Sequence, residues 1–322
     1  MRVLLTNIRL DGRTGTEINV RDIALGLYRR GHDVLVFSPI LGAFTQDIRK
    51  SGISVVNTLR ETTFRPEVIH GHHFLPTLVA LARYPSAAAV YFVHDWTSEH
   101  DKPLKHPRIW RYFYVRSLLR DRLSKENAIA EDKIEFLGNA VDLARFRERI
   151  PAVSKLKSAT IFSHERAHTD LLARACRARD IFLEPLGLGG PNPISEPECL
   201  LPKYDLVFAT GRMALEALAS GCAVIIFDRF GLGGLVTPPR LEEFKRMNFA
   251  PGVLSEVADF DAVLREIDKF RPEEAANVTA RVRKDCGLER YLDRLLQSYE
   301  GAIQSLSDNP VPAMVEFTAL SD

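Results

Sequence analysis

A chain of 322 residues with 46% apolar and 26% charged side chains is long enough for two globular domains. Its net charge of +1 excludes a molecule built as a whole to seek nucleic acid or another polyanion. Four cysteines, at 176, 199, 222 and 286, lack the spacing of a disulfide framework or zinc site, and no apolar run reaches the ~20 residues that cross a bilayer. The opening MRVLLTN enters a strand directly, without the pattern of a secretory leader, so the expected setting is cytoplasmic with reduced thiols.

Strands alternate with helices, which predicts an α/β protein with parallel sheets. Arg2 to Thr6 is the first strand, and Asn7 to Thr16 a polar loop with Gly12 and Gly15. Val20, Ile23, Ala24, Leu27 and Tyr28 then line one face of a helix that Gly31 ends. Such a strand, glycine loop and helix can set amides against a diphosphate, although the loop matches neither GxGxxG nor a P-loop. The next strands are Val34–Phe37, Val55–Val56, Glu67–His70 and Val90–Val93. His70, His72, His73 and His94 fall at strand ends; they read as loop or core histidines or as a metal site, but no ligand at i+4 helical spacing completes a zinc set.

Residues 102–125 interleave eight Lys or Arg with Trp110, Tyr112, Phe113 and Tyr114. This is the pattern of a partly buried helix pair with solvated arginines, of a peripheral membrane contact, or of a nucleic-acid contact. The middle, YFYV, also reads as a strand.

Ser158–Phe162 is a strand, followed by a loop and a helix with Leu171, Leu172 and Ala175. Pro185–Pro202 is a Pro- and Gly-rich loop, of a kind that is often functional. Tyr204–Asp228 is the most informative stretch: strand to Phe208, turn at Gly211, helix Met213–Ser220, Gly221 at the helix end, then strand Cys222–Phe227. Glu216 sits between Leu215 and Ala217, as an exposed acid, one bonded to a backbone amide, or a ligand-binding carboxylate. A carboxylate near a helix start at the end of a parallel strand can accept both hydroxyls of a ribose. The amides at that helix start, with Gly211 and Arg212, can meet phosphate. RFGLGGLVTP reads as a Gly-rich turn, Glu242–Met247 and Ala258–Phe270 as helices, and Leu288 to Ile303 as a helical stripe. Residues 307–322 read as a loose tail.

ALEALASG followed by CAVIIFD resembles the C-terminal signature of GT-B glycosyltransferases, with family four, retaining and metal-independent, the nearest pattern. GT-E-x-N-V-x-x-I-A-x-x-L-x-x-R-G-H-D-V-x-V resembles the family's opening, and SLLRDRLSKENAIAEDKIEFLGNAVDLARF its passage into the hinge, with Asn139 and Asp142 as hinge formers. The resemblance implies two Rossmann-like domains with an inter-domain cleft. The expected division is 1–150 on the acceptor side, with helix 288–306 packing back on it, and 151–287 binding the nucleotide-sugar. The implied enzyme is a hexosyltransferase-type retaining glycosyltransferase, with a UDP- or GDP-sugar as substrate and no metal or other cofactor. The acceptor, whether glycan, lipid-linked or small molecule, is not implied. Glu216 would bind the donor ribose, and His94, with His72 beside it, would touch the donor sugar; His94 and Glu216 are the implied catalytic pair. Gly15 and Thr16 would abut the phosphates, and Arg166, with His164 or His168, would supply cationic charge. The pattern departs at Thr16, where the family has a second glycine, at SHERAHT, where it has an Arg and a Lys, and at Phe208, where it has an acid eight positions before Glu216. Those departures keep open a catalytically degenerate nucleotide-sugar binder or partner subunit. A sugar-nucleotide epimerase of the same architecture is a third reading. The resemblance also allows peripheral contact with the inner membrane face through 102–125.

Overall fold

The apolar runs of the sequence become the inner strands of two separate sheets. A computed structural model describes residues 1–95, 98–163, 168–186 and 196–312. The chain divides into two units: residues 1–138 with 288–322, and residues 139–287. The first division falls after Gly138, earlier than the boundary read at 150.

The first unit is built on seven strands: β1 (Arg2–Thr6), β2 (Asp33–Phe37), β3 (Ser54–Val56), β4 (Val68–His72), β5 (Ala88–Val93), β6 (Ile109–Tyr114) and β7 (Ile134–Phe136). All pairings are parallel, in the order β3-β2-β1-β4-β5-β6-β7. β4 and β5 are buried at every position, as a parallel strand covered on both faces must be. The order reverses between β1 and β4. There the two connections leave in opposite directions and open a crevice at the strand C-termini.

Helix α1 (Gly15–Arg29) and helix α2 (Phe74–Arg83) follow β1 and β4. A Cβ at Gly26 of α1 would lie 2.5 Å from Leu292 Cδ1, so glycine is what lets α1 meet the last helix this closely. Residues 102–125 are not a helix pair: Ile109–Tyr114 is β6, then a short helix, Leu118–Asp121, runs into a π-turn, Arg122–Glu126. The aromatic side chains that suggested an amphipathic helix belong to that strand; Tyr112 and Phe113 bury in the sheet and Arg111 stacks on Trp110.

The second unit has five strands: β8 (Ser158–Ile161), β9 (Phe182–Leu183), β10 (Leu206–Ala209), β11 (Ala223–Asp228) and β12 (Gly231–Leu235). Their order is β9-β8-β10-β11-β12, parallel except for β12. The stretch read as a Gly-rich turn is therefore mostly an antiparallel strand. Its glycines fit a close approach: a Cβ at Gly231 would lie 2.5 Å from the Glu256 carbonyl oxygen. The reversal point here lies between β8 and β10. Helices α3 (Thr169–Arg177), α4 (Gly211–Ala219), α5 (Phe260–Asp268) and α6 (Pro272–Asp285) complete this unit. Val141 donates its N–H to the Cys286 carbonyl at 2.9 Å, tying the two ends of the unit together.

Helix α7 (Leu288–Asp308) belongs to the first unit, where it lies against β5, β6 and α1. It runs two residues into the segment read as a loose tail; residues 313–322 of that segment lie outside the described residues. Residues 187–195 of the loop read at 185–202 do as well, while Pro197–Leu200 forms a helical turn.

Candidate active site

The sequence points to two places, one in each unit, and both fall at the reversal point of a parallel sheet.

In the first unit, β4 ends in His-Gly-His-His. Alternation sends His70 and His72 to one face, beside Phe92 and His94 of the neighbouring strand and the residue just past its end. His70 stacks on Phe92 at 4.5 Å and on His72 at 4.5 Å, and His72 stacks on His94 at 4.8 Å. His72 Nδ1 and His94 Nε2 share a hydrogen bond of 2.6 Å. His70 Nδ1 is bonded to the Tyr299 hydroxyl of α7. The chain then turns sharply: His73 has φ +65°, and its Nδ1 accepts the Ile8 N–H at 3.2 Å. Gly71 is needed here, since a Cβ on it would fall 2.5 Å from the Thr77 side chain that caps this turn.

Burial decides the charge of these rings. It pushes His70 down to about 3 and His73 to about 4, and holds His72 and His94 well below the ordinary imidazole range. All four are neutral at pH 7. One proton then lies between His72 and His94. His72 Nε2 is buried without a hydrogen-bond partner, and an orphaned acceptor costs less than an orphaned N–H. We therefore assign the proton to His72 Nδ1. That leaves His94 protonated at Nδ1, so it offers a hydrogen-bond donor rather than a base. The His94 N–H donates to Asp101 Oδ1 at 3.2 Å, and burial pushes that carboxyl up to about 7.

Beside this, α1 begins. Glu17 is fully buried, and its carboxylate accepts the Gly12 N–H at 2.8 Å and the Thr14 N–H at 2.9 Å. The loop thus spends two amides on its own acid. Gly15 is exposed, and a Cβ built on it meets nothing within 4 Å.

In the second unit, β10 runs into α4. Glu216 is 3% exposed and Arg212 7%. One turn apart on the helix, they form an ion pair, Arg212 Nε to Glu216 Oε1 at 2.8 Å. Gly211 has φ +59°, and its N–H donates to the Phe249 carbonyl at 2.5 Å. That amide is engaged within the chain. Phe208 is fully buried, its ring edge-on to Phe227 at 6.1 Å. It is a core residue of the sheet. Arg166 and His164 lie outside the described residues; His168 is exposed and bonds the Arg229 carbonyl at 3.4 Å. Among the described residues, no group of three or more His, Cys, Asp or Glu is placed to hold a metal ion. No described helix is long and apolar enough to cross a membrane.

Sequence reasoning missed the His72–His94 bond, Asp101, and the pairing of Arg212 with Glu216. The last was readable, since the two are four apart in a helical segment. Asp101 gives no periodic signal, because it ends a single 3-10 turn, Glu99–Asp101.

Residues 13–145 match the model of Glycosyltransferase Family 4. The structure of Alr3699/HepE from Anabaena, in complex with UDP and glucose, aligns with a TM-score of 0.64 at 14% identity, covering 92% of this chain and 99% of that one. A glycosyltransferase from Rickettsia africae ESF-5 aligns at 0.63 with 13% identity, over 94% and 98%. A protein assigned as a UDP-N-acetylglucosamine 2-epimerase from Listeria monocytogenes aligns at 0.61 with 14% identity, over 94% and 97%. No curated protein sequence matches the chain. The fold is GT-B, made of two α/β units with parallel sheets. The family-four match lies almost wholly in the first unit.

Proposed function

We propose that the protein transfers a sugar from a nucleotide-sugar to an acceptor hydroxyl, with retention of configuration and without a metal. The observation that carries this reading is the buried Glu216 in the helix that leaves β10 at the sheet's reversal point. Its carboxylate is held by Arg212, so it reaches a ribose already ionised and oriented. His94, neutral and donating from Nδ1, would hydrogen-bond the donor sugar. Asp101 and His72 would fix its backbone and ring. Gly15 and Thr16 would offer the remaining amides of the α1 start to phosphate. With His94 unable to serve as a base, proton removal from the acceptor falls to the departing phosphate oxygen. Catalysis would rest on positioning and on stabilising charge at the leaving group. The UDP bound by HepE favours a uridine nucleotide. We place the reaction in the cytoplasm; peripheral membrane contact through 102–125 belongs to the same proposal.

A second reading has its own observation. Phe208 fills the core where the family pattern has an acid, and the Gly211 amide is spent on Phe249. Both favour a protein that binds a nucleotide-sugar without turning it over. Thermal shift with UDP, GDP, UDP-glucose and GDP-mannose, repeated on Glu216→Gln, tests the site. A stabilising ligand whose effect is lost in the variant supports it; equal response of both proteins rejects it. Release of nucleoside diphosphate in the presence of acceptor extracts then separates transfer from binding alone, and product analysis without acceptor separates an epimerase.

A further inference from the structure

The chain just past β5 is gripped from two sides. On the carbonyl side, Arg122 of the π-turn donates to the Asp95 carbonyl at 2.9 Å and Arg116 to the His94 carbonyl at 3.5 Å. Both guanidiniums keep their charge at any working pH. On the amide side, the His94 N–H donates to Asp101, which is 3% exposed. That carboxyl anchors its segment. Of residues 98–102, Ser98 is half-buried, Glu99, His100 and Lys102 are exposed, and Asp101 alone is buried. Glu99–Asp101 is a single 3-10 turn, with Ser98 Oγ accepting the His100 N–H at 3.3 Å. The turn lies beside His73, whose ring His100 meets edge-on at 6.3 Å. The chain is tied down again at Lys102, whose carbonyl accepts the Tyr91 hydroxyl at 2.9 Å.

Asp101 is poorly equipped to hold a charge. Among the described residues, the His94 N–H is its one hydrogen-bond donor, where an ionised carboxylate has room for about four. Burial raises the carboxyl to about 7; Asp95 adds to the rise, and the His94 N–H, Arg122 and Arg116 oppose it. The other buried groups beside it do not titrate near neutrality. Burial holds Tyr91 well above its ordinary range, and His94 and His73 below theirs. The turn itself adds Glu99 and His100, both exposed. Helix α2 packs on the turn, and its residues 74–82 include no titratable side chain. Ionising Asp101 where it stands would leave a buried charge short of partners, and turning it out to water relieves that cost.

We propose that the Glu99–Asp101 turn is a latch on His94, closed while Asp101 is a neutral acid and released when it ionises. The arginine grip does not titrate, so release frees the amide side of His94 and leaves the carbonyl side held. The sign follows from linkage: the closed form holds its proton up to about 7 and the open form only to about 4, so opening grows between those limits and levels off above them. The consequence for the site rests on the transferase reading, in which His94 meets the donor sugar: the sugar is held best on the acid side of neutrality. The latch itself does not rest on that reading.

Hydrogen exchange at the His94 amide, followed by nuclear magnetic resonance on the full chain with isotope-labelled histidine, tests the latch without any substrate. Exchange from a fixed opening rises in proportion to hydroxide. In the wild-type protein a further rise of up to about tenfold per pH unit is expected between about 5.5 and about 7, ending above that. Asp101→Asn keeps an acceptor oxygen but cannot ionise, so its exchange should follow hydroxide alone. Arg122→Met removes a guanidinium that holds the carboxyl down and should move the end of the extra rise to higher pH. Wild-type exchange that follows hydroxide alone overturns the proposal, as does an extra rise that persists in Asp101→Asn. If the Asn variant does not fold, an unmoved end point in Arg122→Met overturns it instead. Affinity for the nucleotide-sugar that gives the largest thermal shift should fall as pH rises to about 7 in the wild type and stay level in Asp101→Asn. Level affinity in both proteins overturns the tie between latch and site. Failure of every nucleotide-sugar to bind counts against the transferase reading, while the exchange result still decides the latch.

Discussion

The two units solve one electrostatic problem in opposite ways. At each reversal point the sheet buries ionisable side chains. In the first unit, burial strips four imidazoles of their charge, and three of them, His70, His72 and His94, stack as neutral rings. In the second, Arg212 and Glu216 meet as an ion pair, both under a tenth exposed. Neutralisation costs little at pH 7 but makes a site sensitive to acid. Pairing keeps both charges but makes each partner dependent on the other.

Acid should separate the units most strongly. For His70 and His73, the folded-state value is lower than the unfolded one, so the unfolded chain binds more protons as pH falls below about 6.5. Stability is then lost between about 6.5 and about 4 for His73 and between about 6.5 and about 3 for His70, by up to about 1.4 kcal/mol per pH unit for each ring. Asp101 runs the other way: raised to about 7, it stabilises at low pH and loses that contribution as pH rises through 7. Below pH 6 the histidines outnumber it. Both tryptophans, at 96 and 110, belong to the first unit. Tryptophan fluorescence should therefore report an acid transition at higher pH than the one circular dichroism records for the remaining structure. Coincident transitions would remove the contrast.

Next in size is Phe208→Glu. Restoring the acid of the family pattern puts a carboxylate into a fully buried core position, at a cost above about 4 kcal/mol. The second unit should unfold rather than gain a ligand contact. Improved nucleotide binding in a folded variant would show that the strand end can turn outward.

Glu216→Ala removes the acid paired with a buried guanidinium and should cost about 3 kcal/mol, visible in urea denaturation by circular dichroism but not by tryptophan fluorescence. Arg212→Met combined with Glu216→Leu should recover most of it. If the double variant is no more stable than the single one, the pair is not the unit that holds α4.

The smallest effect is Tyr299→Phe. It removes the hydroxyl bonded to His70 Nδ1, and His70 Nε2 already lacks a partner. A loss of about 1–2 kcal/mol is expected in the fluorescence-detected transition. No loss would mean that the ring stack alone holds His70 in place.

Much of the fold was legible because parallel strands buried on both faces read as unbroken apolar runs, as at Val90–Val93 and Cys222–Phe227. The sequence misled where one composition serves two structures. The aromatic run around Trp110 fits a strand or an amphipathic helix, and the glycines of β12 mark close contacts rather than a turn. Helix α6 went unread despite Pro272 at its start, Glu273 and Glu274 in its first turn and Arg283 and Lys284 in its last. Its buried face is thin, carried by Val278, Thr279 and Val282, so the periodic apolar signal was weak. Of the contacts around His94 and Glu216, only the pairing with Arg212, four residues from Glu216, was readable from spacing. Asp101 and Phe249 arrive from a single 3-10 turn and a turn after a helix, where spacing carries no information.

The placement of α7 bears on how the chain matures. The first unit draws on both ends of the sequence, because Tyr299 closes over His70 and Leu292 fits against Gly26. Residues 139–287 form a continuous stretch. During synthesis, residues 1–138 leave the ribosome first but wait for the last helix. At 5–20 residues per second, that delay is about 8–30 s. Through that interval the nascent sheet keeps the face meant for α7 bare, and the later-made unit is the first able to complete itself.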